Sequence, residues 1–393
     1  MNRHQAASDR TALVLTGGGA RAAYQVGVLK AAAELLPKRT PNPFSIITGT
    51  SAGAINAVAL GASANNFRLA VKKVERIWTN LHIEQICKVG YLELIGSVLR
   101  LAGSLFHQGV GLHKPLALFN TAPLVKLLES VIDFNDLERR LAGGYLDAIA
   151  VTASSYNSGE SVTFYQSDLD GDILPEWHRA RRRGIATKLQ VAHLLASSAI
   201  PTILPATRID NSYYGDGALR QVSPISPALH LGADRILVIG GSGNPTHPPT
   251  EAYESHSPSL AKMIGHVFNS AFIDALENDM EHLLRINDLS GMLKNENPHA
   301  DTPGFKQIDF LCINPSVEID QIAAKHLSSL PSSIRTLLRT TGATATGGGT
   351  SMASYLLFES AFCRELIDCG YKDAMNQEEM LLNFFFPEKE FSY

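Results

Sequence analysis

Short apolar runs alternate with longer helical patterns along most of this 393-residue chain. Each short run is bounded by turn residues and is followed by a segment with helical periodicity, such as the one from residue 17 to about 36. Strands that alternate with helices predict an α/β fold with a mostly parallel central sheet between two helical layers. The runs that predict buried strands are 11–16, 44–47, 146–153, 162–165 and 235–239.

Two regions interrupt or extend this alternation. An insertion at about 80–145 predicts a helical cap, and an amphipathic pattern at 351–369 predicts one continuous helix. A strand is also expected at 308–313, which ties the later part of the chain to the same sheet. The predicted units are a disordered N-terminus at 1–10, a core unit at 11–241, a mostly helical extension of the same domain with one strand at 242–341, and a linker with C-terminal helices at 342–393.

A serine between two glycines marks the end of the second predicted strand. Residues 49–53 read Gly-Thr-Ser-Ala-Gly, and an alanine-rich helical pattern follows. This G-x-S-x-G pattern predicts a nucleophile elbow, in which a strained turn lifts the Ser51 hydroxyl clear of the backbone. Gly49 and Gly53 permit the tight turn and the close packing of strand and helix. The positive end of the helix then faces any negative charge that develops beside Ser51.

A glycine-rich turn follows the first predicted strand. Gly17, Gly18 and Gly19 are consecutive and open the next helix, with Arg21 close behind. Such a turn presents several amide groups to an anion, and a dinucleotide pyrophosphate is one candidate. Against it, an alanine replaces the third glycine of the strict fingerprint and no acidic residue stands about 20 residues further on. The preferred interpretation is an oxyanion hole, with the Gly18 and Gly19 amides and the Arg21 cation facing the Ser51 hydroxyl.

A third motif, Asp216-Gly217-Ala218, lies far downstream. An isolated Asp-Gly pair most often marks a turn. Here Ser-Ser-Ala-Ile-Pro at 197–201 precedes the pair and Leu-Gly-Ala-Asp at 231–234 follows it. Taken together and in this order, the three motifs resemble the patatin-like phospholipase family over the whole core unit.

The resemblance implies a role for each motif. Ser51 is expected to be the nucleophile and Asp216 its general base, in a Ser–Asp dyad that needs neither a histidine nor a cofactor. A carboxylate in a dry cleft has a raised pKa, which makes it a better base. The implied fold is a three-layer α/β/α patatin-like fold with a helical cap insertion and a helical C-terminal extension. The implied oxyanion loop comprises Gly17, Gly18, Gly19 and Arg21, and the implied base motif includes Gly217 and Ala218.

The activity that the resemblance implies is hydrolysis of fatty-acyl esters of phospholipids, lysophospholipids or related lipids through an acyl-serine intermediate. Three alternatives stay open: a lipid acyltransferase with the same dyad, a nucleotide-binding oxidoreductase that uses the N-terminal glycine loop, and a catalytically silent lipid-binding protein. A lipid substrate is the expected partner. The apolar stretch at 86–106 predicts either a packed cap helix or an interfacial lid, and the lid would allow peripheral membrane contact. The sequence leaves the oligomeric state open.

The composition argues for a large folded core and against several other classes of protein. Hydrophobic residues make up 45% of the chain and charged residues 18%, which is enough for a large core. A net charge of −4 gives no electrostatic case for nucleic acid. Four scattered cysteines without a secretion signal predict reduced thiols and a cytoplasmic location. The polar first residues and the lack of a long apolar run predict no signal peptide and no membrane-spanning helix.

The histidines carry no sequence signal of their own. Several of them follow Ser51 and Asp216 in the order that an α/β-hydrolase triad requires, but nothing marks any of these as the third member. Metal-site spacings of histidine or cysteine pairs are also absent, so no metal is expected. The histidines in that order include His230, His247, His256 and His266.

Overall fold

A single mixed sheet forms the centre of the protein. The computed structural model describes residues 10–106, 116–168, 176–241, 257–296, 307–342 and 349–387. Along the sheet the strand order is β10-β9-β1-β2-β3-β4-β6-β5, and β8 pairs with β3 and with β7. The strands of the described residues are β1 Thr11–Leu15, β2 Ile46–Thr50, β3 Ala148–Ser155, β4 Ser161–Ser167, β5 His178–Arg179, β6 Arg182–Ala186, β7 Thr207–Ile209, β8 Ser212–Asp216, β9 Arg235–Ile239 and β10 Asp309–Ile313.

The five strands β10, β9, β1, β2 and β3 are parallel neighbours. Successive residues of β1 face opposite sides, so Leu13 and Leu15 join one apolar cluster while Ala12 and Val14 join the other. Both faces are therefore covered, as a parallel sheet requires. The predicted α/β fold with a mostly parallel central sheet is confirmed.

Helices cover both faces of this sheet. The face that carries α1, α2, α3 and α14 holds the larger apolar cluster, and α8 and α10 cover the opposite face. The helices of the described residues are α1 Ala23–Leu35, α2 Ala52–Gly61, α3 Phe67–Thr79, α4 Tyr91–Phe106, α5 Ala122–Val131, α6 Phe134–Ala142, α7 Val191–Ser197, α8 Ser226–His230, α9 Leu260–Asn269, α10 Ala275–Glu296, α11 Ile319–His326, α12 Ser332–Thr340, α13 Thr350–Leu356, α14 Ser360–Met375 and α15 Glu378–Phe385.

The later part of the chain packs against the elements of the earlier part and adds a strand to the same sheet. Strand β10 pairs in parallel with β9 and extends the sheet by one strand. Helix α14 crosses α1 so closely that a side chain at Gly27 or Gly370 would strike the backbone of the other helix. The absence of a Cβ at both positions lets the two backbones approach.

Two local expectations differ from the structure. The second strand begins and ends later than the 44–47 run, because its pairing with β1 and β3 continues as far as Gly49 and Thr50. The helix expected at 351–369 is instead two helices, α13 and α14, interrupted at residues 357–359. At this break the Glu359 carboxylate accepts from the Ile83 amide and lies 2.9 Å from His82 Nδ1, so the turn is tied to the chain that enters the cap. The predicted N-terminal disorder and the 342–349 linker fall almost entirely outside the described residues.

Candidate active site

Ser51 stands at the turn between β2 and α2. Its φ of 54° and ψ of −129° put a non-glycine residue in a strained region of backbone space, as expected for a nucleophile elbow. A Cβ at Gly49 would lie 2.5 Å from the Gly53 carbonyl oxygen, and one at Gly53 would strike the Leu15 carbonyl at the end of β1. The two predicted glycines therefore allow strand, turn and helix to pack against each other around Ser51.

Asp216 ends β8 and faces the serine. Its Oδ2 accepts a hydrogen bond of 2.6 Å from Ser51 Oγ, and its Oδ1 accepts one of 3.0 Å from the Ala218 amide. Both Ser51 and Asp216 are buried. A side chain at Gly217 would strike the Thr152 carbonyl, so this glycine lets the base motif pass close to β3. The two motifs, 165 residues apart in sequence, thus meet through a hydrogen bond, and their roles as nucleophile and base stay predictions.

Burial dominates the electrostatics of Asp216. Desolvation raises the pKa of its carboxyl from the ordinary 3.8 to about 7, while the hydrogen bonds from Ser51 and from the Ala218 amide lower it. A carboxylate with a pKa near neutrality can accept the serine proton and return it later at physiological pH. The described hydrogen bonds of both residues include no histidine; the ring of His230, for instance, bonds to Ser226. His247 and His256 lie outside the described residues.

The glycine loop lies beside the nucleophile. Gly19 has a φ of 54°, and a Cβ there would strike the Tyr355 carbonyl oxygen. A Cβ at Gly17 would lie 2.8 Å from the Phe272 ring and 3.2 Å from Ser51 Cβ. The loop is therefore packed between the nucleophile and C-terminal segments, an environment that counts against a bound dinucleotide. The oxyanion role of its amides stays a prediction.

The Arg21 guanidinium is held by the C-terminal segments. Its Nη2 donates to Asp320 Oδ1 at 2.6 Å, its Nε donates to Ser354 Oγ at 2.7 Å, and the group lies 4.1 Å from the centre of the Tyr355 ring. The carboxylate and the ring compensate for burying the charge. This corrects the expectation that the Arg21 cation faces the Ser51 hydroxyl, because its described hydrogen bonds all go to α11 and α13. Arg21 thus fixes the loop to the C-terminal helices.

Two further side chains support the site and were missed from the sequence. Ser197 Oγ accepts from the Ser51 amide at 2.8 Å and donates to the Thr152 carbonyl at 2.6 Å. Gln221 Oε1 accepts from Thr50 Oγ1 at 2.6 Å, one residue before the nucleophile. The sequence does carry a signal for Ser197, since this residue belongs to the serine pair before Ala-Ile-Pro.

An apolar cavity opens beside Ser51. Ser51, Gly19, Asn56 and Ser198 are part of its lining, and aliphatic and aromatic side chains make up most of the rest. The insertion supplies part of this wall, through the segment before α4 and through α5, and the chain after α13 supplies another part. A mostly apolar cavity that adjoins the predicted nucleophile is suited to bind an acyl chain. Representative wall residues are Ile55, Trp78, Cys87, Phe119, Leu124, Leu128, Ile200 and Phe358.

A strained serine, a buried carboxylate bonded to it and an adjoining, mostly apolar cavity form the candidate site. The chain belongs to the patatin-like phospholipase family, whose model, described as Patatin-like phospholipase, matches residues 13–229. Membership supports lipid hydrolase activity, and the resemblance stated from the motifs is confirmed.

Comparison with solved structures gives distant likenesses. VipD from Legionella pneumophila is 12% identical, with 95% of this chain and 67% of that chain covered and a TM-score of 0.36. Human GIVD cytosolic phospholipase A2 is 12% identical, with 96% of this chain and 63% of that chain covered and a TM-score of 0.38. This chain therefore spans less than two thirds of the human enzyme's length. No curated protein matches the chain.

Proposed function

We propose that this protein hydrolyses fatty-acyl ester bonds of phospholipids, lysophospholipids or related lipids through a Ser51–Asp216 dyad. The observation that carries the proposal is the 2.6 Å hydrogen bond between Ser51 Oγ and Asp216 Oδ2, which is buried and adjoins a mostly apolar cavity lined in part by Ser51. The nucleophile, its base and a place for the acyl chain are then present together.

The reaction proceeds in two halves. Asp216 takes the proton from Ser51 Oγ while the oxygen attacks the ester carbonyl carbon, and the amides of the glycine loop stabilise the negative oxygen that forms. Asp216 then gives the proton to the departing alcohol, which leaves an acyl-Ser51 ester. In the second half Asp216 takes a proton from water, the water oxygen attacks the acyl carbon, and the proton returns to Ser51 as the fatty acid leaves.

Covalent labelling tests this assignment most directly. The wild-type protein should react with a fluorophosphonate probe and release p-nitrophenol from a p-nitrophenyl acyl ester, whereas Ser51→Ala should do neither. Asp216→Asn should lose ester turnover by several orders of magnitude, as expected when a member of a catalytic unit is removed. The matched controls Ser328→Ala and Asp210→Asn change exposed residues and should keep wild-type rates. A folded Ser51→Ala variant with wild-type turnover would refute the dyad.

The same assay separates hydrolysis from acyl transfer. A product analysis with a glycerol or lysophospholipid acceptor shows whether water or an alcohol takes the acyl group. Release of free fatty acid as the main product supports the hydrolase. A new ester as the main product would assign the transferase with the same dyad.

The outer face of α4 supports contact with a lipid surface. Leu92, Ile95 and Leu99 are 88%, 54% and 66% exposed, and their spacing puts them on one side of the helix, while Leu94 and Ser97 are buried. This helix begins shortly after Cys87, which lines the cavity. None of the helices within the described ranges is long and apolar enough to cross a membrane. From the cysteine pattern and the exposed apolar face of α4, the location we propose is cytoplasmic with peripheral membrane attachment.

Vesicle binding tests the α4 face. A Leu92→Ser/Leu99→Ser double variant should bind phosphatidylcholine vesicles more weakly and hydrolyse their lipid more slowly, while keeping wild-type turnover of a soluble ester. The control is Leu69→Ser, which removes a leucine that is 56% exposed on α3. Equal loss of vesicle binding in both variants would show that α4 has no special role.

A further inference from the structure

The Ser198 hydroxyl is buried in the site without a partner. The side chain is 8% exposed, and its Oγ has no hydrogen-bond partner among the residues that the structure describes. Ser198 lines the same cavity as Ser51 and Gly19. Buried hydroxyl groups in native proteins are almost always hydrogen-bonded, and leaving one unpaired is costly. An unpaired hydroxyl in the lining of a cavity therefore indicates that a ligand in the cavity supplies its hydrogen-bond partner.

The residues on either side fix the position of Ser198. Ser197 Oγ accepts from the Ser51 amide at 2.8 Å, and the Ala199 carbonyl accepts from the Asp216 amide at 2.9 Å. One short segment thus touches the nucleophile through one residue and the base through another. Ser198 stands between these two anchors, so its backbone has little freedom to move away from the site.

We propose that the Ser198 hydroxyl donates a hydrogen bond to an oxygen of the bound acyl ester. The proposal rests on the proposed function, since it assumes that an ester reaches Ser51. An ester oxygen accepts hydrogen bonds and becomes more negative as the tetrahedral intermediate forms. A donor held in place before binding stabilises that charge without reorganisation. Ser198 is in this view a substrate-contacting residue in addition to the dyad.

Removing the hydroxyl gives opposite effects on stability and on activity. Ser198→Ala should lower kcat/KM for an acyl ester by about tenfold to a hundredfold, mainly through kcat, as a lost hydrogen bond to a developing charge does. Its Tm should equal or exceed that of the wild type, because no hydrogen bond of the free protein is lost. The matched control is Ser197→Ala, which loses two hydrogen bonds and should lower the Tm. Ser198→Thr, which keeps a hydroxyl, should recover part of the activity.

The outcomes are distinguishable. A Ser198→Ala variant with wild-type kcat/KM would overturn the proposal, and so would one whose Tm falls as far as that of Ser197→Ala, since its hydroxyl would then have a structural partner. Ser51→Ala is measured alongside. If the wild type turns over no more ester than Ser51→Ala, the proposed function fails and the assignment of Ser198 falls with it.

Discussion

The raised pKa of Asp216 predicts how pH controls this protein. Below a pH of about 7 the Asp216 carboxyl is mostly protonated and cannot accept the Ser51 proton. We therefore expect kcat/KM to fall about tenfold for each pH unit below about 7 and to level off above it, because kcat/KM reports the pKa of the free protein's base. A solvated carboxylate would place this inflection near pH 4.

The same group makes the stability of the protein depend on pH. The folded-state pKa of Asp216 lies above its unfolded value, so its contribution to the free energy of unfolding is fully present below about pH 4 and is lost as pH rises through about 7. The difference between 3.8 and about 7 corresponds to a total loss of about 4 kcal/mol, since one pH unit is worth 1.36 kcal/mol. Between pH 5 and pH 8 the expected loss is about 3 kcal/mol.

Urea unfolding of wild type and Asp216→Asn at pH 5 and pH 8 measures this effect. Asparagine does not titrate, so the wild type should lose about 3 kcal/mol more stability than Asp216→Asn between the two pH values. Asp210→Asn, an exposed substitution, should follow the wild type. Equal pH dependence in wild type and Asp216→Asn, together with an activity inflection near pH 4, would refute the assignment of a desolvated base.

Three other predictions follow from single contacts. Gly19→Ala should lower kcat at least tenfold. A residue with a side chain loses about 1–2 kcal/mol at this positive φ, and the new methyl group would collide with the Tyr355 carbonyl oxygen. An unchanged kcat at wild-type Tm would contradict this prediction. Asp320→Asn should lower the free energy of unfolding in urea by about 2–3 kcal/mol, which is less than the loss of a fully buried ion pair because the Asp320 side chain is 31% exposed. Arg21→Lys should not keep the wild-type stability either, since lysine does not replace the planar guanidinium group. Leu128→Phe should lower the decanoate-to-acetate ratio of kcat/KM for p-nitrophenyl esters about tenfold, and an unchanged ratio would place the acyl chain elsewhere.

Much of the fold and the site could be predicted because the relevant signals are local. A strand, a tight turn and a helix that follow each other directly are visible in the sequence as a continuous pattern of apolar residues and glycines. The five residues 49–53 were therefore enough to place Ser51 at a nucleophile elbow. Asp216 was assigned as the base by resemblance, and its contact with Ser51 then followed from the topology, in which β8 pairs with β3 beside β2.

The errors come from contacts between distant segments. Arg21 is predicted to face the oxyanion from its place in the glycine-rich turn and from the family resemblance, yet its partner Asp320 lies 299 residues away. No proline or glycine marks the break between α13 and α14 in the sequence. The break is held by contacts of the Glu359 carboxylate with His82 and Ile83, at the start of the insertion. A residue type reveals which bond a side chain can make, whereas the partner is selected by the tertiary fold.

The segments beyond the family match contact the glycine loop, and this predicts the outcome of truncation. Phe272 packs against Gly17, Tyr355 packs against Gly19, and Asp320 binds Arg21, yet all three lie after residue 229, where the match ends. A chain that ends at 241 keeps Ser51 and Asp216 but exposes the β9 edge and leaves the loop without its backing. We expect such a fragment to aggregate or, where it stays in solution, to hydrolyse esters at least a hundredfold more slowly than the full chain. Wild-type turnover by a folded fragment would show that the loop holds its shape unaided.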